Sequence, residues 1–297
     1  MRKEIKSVAV VILGIVLTLT TALAATTYTY TVIDFPGALI TFGFGVTDEA
    51  ESIVGTYVDS AFNLHGWLLE SGVYSTLDFP GADSTNGNGV NNKRQVVGCY
   101  TAGTDASHGF IWQAGSYATF DVPGSGSSCA NQINNKGQIV GGYSAAPPDF
   151  LNEHGYVYSN GVFTTIDYPG AVGTEVQGIN NQGDVVGAYA DAGGTVHAFL
   201  YAGGVFTNID YPGAPHSAAY GINNRGQIVG RYVTSTNFFA SAAQHSFLLS
   251  RGSFSNVDPP GTTGRSLASS INNAGQIVGL FRNSSGRHAY LATPTET

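Results

Sequence analysis

Five times in this chain a histidine is followed 13 residues later by an aspartate, and each interval is centred on a two-residue turn whose second position is glycine. The pairs are His65 with Asp78, His108 with Asp121, His154 with Asp167, His197 with Asp210 and His245 with Asp258. The plainest copy, His154 to Asp167, reads HGYVYSNGVFTTID. Asn-Gly between two apolar runs is the strongest short-range hairpin signal, because a type I′ turn needs positive φ at both central residues. The other copies set Ser71-Gly72, Ala114-Gly115, Gly203-Gly204 and Arg251-Gly252 at the same point. With the turn fixed, the histidine faces the aspartate directly, at a non-hydrogen-bonded position where side chains approach most closely. An imidazole N–H to carboxylate bond, a structural clamp, is the expected result. The same register sets Leu69 against Tyr74, Trp112 against Tyr117, Tyr158 against Phe163, Tyr201 against Phe206 and Leu249 against Phe254. Such pairs contribute roughly 0.2–1 kcal/mol each.

The hairpin belongs to a longer unit. Asp-x-Pro-Gly begins at Asp34, Asp78, Asp121, Asp167, Asp210 and Asp258, with spacings of 43 to 48 residues. A period near 40–50 with several short strands per unit is the signature of a β-propeller. Each unit reads as four strands. Strand a is small-residued, ends at Val46, Val90, Ile133, Ile179, Ile222 or Ile271, and is expected innermost. A tight turn such as Asn180-Asn181-Gln182-Gly183 leads to strand b, since Asn and Gly tolerate the left-handed backbone it needs. Strand c starts at the histidine and strand d ends at the aspartate. The last unit stops at His288-Ala289-Tyr290-Leu291 without a strand d, whereas Tyr28 to Asp34 matches every strand d with nothing before it. The sequence therefore predicts an all-β, six-bladed propeller of four-stranded blades, closed by residues 28–34 completing the last blade. His288 should then meet Asp34. Closure hides two open sheet edges.

Residues 1–24 read as a signal peptide: Arg2, Lys3 and Lys6, an apolar stretch from Val8, then Ala22-Leu23-Ala24 as a cleavage site. Residues 25–297 are read as one propeller domain, secreted to the extracellular space or periplasm and monomeric. Losing residues 1–24 leaves 9 basic residues (12 less 3) against 19 acidic ones (20 less 1). That balance argues against nucleic acid or an anionic membrane as partner. Secretion permits a disulfide between the two cysteines, Cys99 and Cys129, which fall in neighbouring units; two buried thiols are the alternative.

Units of the form G-I-N-N-x-G-Q-I-V-G, then H-[GA]-F, then I-D-[FY]-P-G-A resemble the HAF repeat, a bacterial extracellular repeat named for the tripeptide seen here at His197-Ala198-Phe199. The resemblance covers nearly all of residues 28–294. It implies a secreted, propeller-like repeat protein and brings no reaction or catalytic residue with it. Copy one departs most, with Thr47-Asp48-Glu49-Ala50-Glu51 in place of the Asn-Asn turn.

In a four-stranded blade the a–b and c–d turns share one face and the b–c and d–a connections the other. The b–c segments 58–64, 101–107, 144–153, 190–196, 233–244 and 282–287 vary in length and content, and variable loops on a rigid scaffold carry function. Ligand-binding candidates are therefore Asp59, Asp105, Asp149, Phe150, Asn152, Glu153, Asp191, Asn237, Phe238 and Phe239, which suit a glycan or a peptide. The reading is a binding or structural module, not an enzyme, with no cofactor and no metal. The histidines are assigned to the clamp because strands c and d lie outermost and hold them apart. The alternative is a carbohydrate-active hydrolase or lyase, with two of Asp59, Asp105, Asp149 and Asp191 converging at the central mouth, which needs carboxyl groups about 5–10 Å apart. The seventh histidine, His216, falls in a d–a connection and is expected to be exposed.

Overall fold

The computed structural model describes residues 26–103, 106–145, 153–239 and 243–295. Among them are 24 strands and no α-helix. Four sheets have four strands each, and an eight-stranded sheet is two blades joined by one parallel bridge between Ile40 and Arg287. Six blades of four antiparallel strands result. The N-terminal strand Tyr28–Val32 pairs with Gly286–Pro294 from Tyr28 opposite Pro294 to Val32 opposite Tyr290. The amide of Ile33 continues the ladder to the Ala289 carbonyl at 3.1 Å. The ring is closed by its own beginning.

Local sequence explains each blade. The c–d turns hold positive φ at both central residues, as at Asn160 (52°) and Gly161 (87°). Their register sets Tyr158 opposite Phe163 and Tyr201 opposite Phe206. The Nδ1 atoms of the six strand-c histidines lie 2.6–2.9 Å from an aspartate Oδ2, Asp34 with His288 included. The aromatic after the aspartate stacks on a strand-b tyrosine, as Phe79 on Tyr100 at 3.7 Å and Tyr168 on Tyr189 at 3.7 Å. On the other side, Tyr189 faces the His197 ring at 5.0 Å. The Asp-aromatic-Pro-Gly motif thus ties one blade to the next, as Asp167 holds His154 of blade 3 while Tyr168 stacks on Tyr189 of blade 4.

The core lies between blades. Trp67, Phe110, Tyr156, Phe199, Phe247 and Tyr290, one per strand c, are fully buried. Each lies over a strand-b glycine; the Phe110 ring would meet a Cβ on Gly98 at 2.8 Å and the Phe199 ring one on Gly187 at 3.0 Å. Cys99 of blade 2 and Cys129 of blade 3 form a disulfide with Cα atoms 5.0 Å apart. At the equivalent seam, Thr56 of blade 1 hydrogen-bonds Asn86 of blade 2 at 3.0 Å.

The Asn-Asn turns do more than reverse the chain. The backbone N–H of each second asparagine, or of Asp48, donates to the side-chain oxygen of its counterpart in the next blade. The series runs from Asp48 through Asn92, Asn135, Asn181, Asn224 and Asn273 back to Asp48, with distances of 2.8–3.1 Å. Copy one keeps the arrangement with different residues: Asp48 Oδ1 closes the circle, and the Thr47 hydroxyl accepts from Ser52 N at 3.0 Å. An oxygen acceptor is what both places require, so Thr and Asp serve where the other copies carry Asn.

Candidate functional site

Strand a is less plain than its small residues imply. In all six blades it carries a β-bulge, at Phe44, Asn88, Asn131, Gln177, Tyr220 and Ser269. The extra residue breaks the pairing and re-aims one side chain, a device common beside functional sites. These six residues, with Gln132 and Leu267, line an axial cavity of about 100 Å³. The channel is thus lined by bulky and polar side chains, against the expectation of narrow ones. At one end the asparagine circle surrounds a smaller space of about 60 Å³. The other end opens among the b–c loops.

On that loop face Asp59 and Asp191 build the same loop in blades 1 and 4. Asp59 Oδ1 accepts from Ala61 N and Asn63 N, both at 2.8 Å; Asp191 Oδ1 accepts from Gly193 N at 2.9 Å and Thr195 N at 2.8 Å. Hydrogen bonds from the Asn63 side chain and backbone hold the Asp59 carboxyl down at about 2. Each aspartate also reaches its blade's histidine, Asp59 Oδ2 at 3.4 Å from His65 Nε2 and Asp191 Oδ2 at 3.5 Å from His197 Nε2. Burial pulls His65 toward lower pKa, but Asp78 and then Asp59 outweigh it, and the net shift is upward. Blades 1 and 4 stand opposite one another in the ring of six, and each of these carboxylates is held by its own loop and its own blade's histidine. Asp105, Asp149, Phe150 and Asn152 lie outside the described residues. Glu153 folds its carboxylate into the space that a side chain on Gly142 would fill.

The two loops differ where it matters. Gly194 occupies the left-handed position in blade 4, with φ of 79°. In blade 1 that position is Phe62, with φ of 67° and 77 % exposed. A bulky residue there is an outlier that costs about 1–3 kcal/mol. In blade 5, Asn237 and Phe239 are exposed, Phe239 by 75 %. Phe238, expected in the same loop as a contact residue, is instead buried to 9 %, its ring 4.2 Å from the Arg231 guanidinium. The expectation for His216 also fails: it is 7 % exposed, inside strand a of blade 5. Its Nδ1 accepts from Val196 N at 3.0 Å and its Nε2–H donates to the Thr236 carbonyl at 2.9 Å, which fixes the neutral tautomer. The start of strand a faces strand c of the preceding blade, where Ser127 likewise accepts from Ser107 N at 3.0 Å.

A charged group that sequence reasoning passed over lies at the inner end of this mouth. Arg231, on strand b of blade 5 (Ile228–Val233), is 8 % exposed, with Tyr220 and Phe238 against its guanidinium. Its Nη1 reaches Gln244 Oε1 at 3.4 Å, and Gln244 is bridged to Arg265. Glu175, on strand a of blade 4 (Gly173–Ile179), is pushed up to about 7 by burial, with Arg231 and Gln177 opposing the shift. The missed signal is positional. Strand b carries Thr56, Cys99, Gly142, Ala188 and Leu280 where blade 5 has Arg231, so a lone charge stands in an otherwise uncharged row.

No family model matches the chain, and no curated protein matches it. Solved structures do. A mutant of the Aleuria aurantia lectin in complex with Fucα1-6GlcNAc is similar, with a TM-score of 0.53 and 12 % identity over 88 % of this chain and 98 % of that one. A mutant of AofleA from Arthrobotrys oligospora gives 0.52 and 12 % over 90 % and 93 %. A gluconolactonase from Xanthomonas campestris gives 0.50 and 14 % over 89 % and 94 %. At such identities the likeness is one of fold. This chain is a β-propeller.

Proposed function

We propose that the protein is a secreted binding propeller that holds a saccharide on its b–c face. The observation that carries this is Phe62. A glycine at the same point of the same loop, Gly194, avoids the left-handed penalty, and Phe62 recovers nothing in exchange by burial. An exposed ring held at a conformational cost fits one that serves as a platform for a ligand. Exposed apolar side chains share this face, with Leu39, Leu64, Val172 and Phe239 joining Phe62. Rings among Asn and Asp suit a sugar better than a flat protein partner. The likeness to the Aleuria aurantia lectin supports the class of ligand. The disulfide and the resemblance to the HAF repeat support secretion.

The test uses residues 25–297 on a glycan array, with Phe62→Gly beside it. The wild type should retain a defined set of saccharides and Phe62→Gly should lose them, while its stability rises by about 1 kcal/mol as left-handed strain is relieved. A variant that binds as well as the wild type would remove the basis for the reading.

A further inference from the structure

Beyond residue 24 the chain has nine basic residues (12 less 3), and four of them, Arg231, Arg265, Arg282 and Arg287, gather on the b–c side of blades 5 and 6. The b–c segments of those blades, 233–244 and 282–287, contain no Asp or Glu. Neighbouring strands bring the arginines together. Gln244 receives Arg231 Nη1 at 3.4 Å and is bridged to Arg265; the Arg282 amide donates to the Arg265 carbonyl at 2.8 Å, and Arg282 pairs in register with Arg287. The Nε atoms of Arg231 and Arg265 are buried and have no hydrogen-bond partner. Among the described residues no carboxylate forms an ion pair with Arg265 or Arg287, whereas the charge of Arg231 is felt by the buried Glu175. Burial and then the charges of Arg231 and Arg287 hold the Arg265 pKa below its ordinary value. Buried cations are ordinarily paired, because leaving their charge unmatched in a low dielectric is costly.

We infer that this cluster is a carboxylate subsite of the saccharide site, so that the ligand is a sugar bearing a carboxylate taken by Arg265 with Arg231 beneath it. This rests on the saccharide reading. A planar guanidinium fork matches a carboxylate with two parallel hydrogen bonds. The Arg231 guanidinium lies 4.2 Å from the Phe238 ring centre and 5.7 Å from that of Tyr220, with only its Nε left without a hydrogen-bond partner. Blade 6 adjoins blade 1 through the bridge between Arg287 and Ile40, which places the subsite one blade from Phe62.

The experiment titrates the mature protein, Arg265→Gln and Arg231→Lys with glucuronate and galacturonate oligosaccharides, their methyl esters, neutral hexose oligosaccharides, and acetate alone. The acids should bind about tenfold or more tighter than the esters, Arg265→Gln should bring the acids down to the level of the esters, and Arg231→Lys should retain only part of the preference. If acids and esters bind alike in the wild type, the subsite is refuted and the saccharide reading survives. If no sugar binds but acetate raises the melting temperature of the wild type and not of Arg265→Gln, the anion site stands and the saccharide reading falls. If nothing binds, both fall. Arg265 is half-buried at a strand start, so its variant tests the subsite even where Arg231→Lys fails to fold.

Discussion

Deleting residues 25–35 should lower the melting temperature by about 10–20 °C, using roughly 2–4 °C per kcal/mol for a domain of this size. The deleted strand supplies five register pairs to Gly286–Pro294, and Ile33 is buried beside Trp67 and Ala289. Tyr28 and Tyr30 pack against the blade 5 and 6 core, and the Tyr30 hydroxyl donates to the Val257 carbonyl at 3.1 Å. Burying one such aliphatic side chain stabilises by about 1.5–3 kcal/mol and each net hydrogen bond by about 0.5–1.5 kcal/mol, so a total of about 5 kcal/mol or more is lost. His288 also loses Asp34, and strand c of blade 6 becomes an open edge. A thermal melt checks the result. A truncated protein that melts with the full chain would mean that the blades stand as an open array.

Gly187→Ala should cost about 3 kcal/mol or more, at the upper end of what overpacking a core does. A Cβ there would overlap the Glu175 carbonyl oxygen and meet the Phe199 ring at 3.0 Å. Neither neighbour can withdraw: the carbonyl belongs to the strand pairing Glu175 with Ala188, and Phe199 is fully buried. Gly161→Ala makes the contrast, since a Cβ there has nothing within 4 Å and only the positive φ of 87° opposes it. That penalty is about 1–2 kcal/mol. Urea midpoints should therefore separate the two variants clearly. Equal losses would show that the strand-b glycines are not sites of close packing.

The ring was legible because closure is a matter of counting. A strand d without a predecessor and a blade without a strand d leave one arrangement in which no edge stays open. The hairpin register was legible because glycine at a fixed turn position sets every cross-strand partner. The bulges were not, since one additional residue in a strand such as Gly43-Phe44-Gly45 leaves the small-residue pattern unchanged while turning a side chain into the channel. Of the candidate site, the variation of the b–c loops was legible from their lengths, but the contacts their residues make were not. Asp59 and Asp191 were read as ligand-binding candidates, and in the structure one oxygen of each accepts hydrogen bonds from its own loop. Phe238 and His216 were read as exposed because they stand near a loop, although the preceding blade packs over them. Phe62 escaped notice because its significance is conformational and appears only beside Gly194.

Hydrogen exchange with and without the tightest saccharide from the array tests the binding face most directly. The account predicts slowed exchange in segments 59–63 and 235–239 and around Arg265, with the Asn-Asn turns at 91–95 and 180–184 unchanged. Slowing confined to those turns, with the loop segments unaffected, would contradict it.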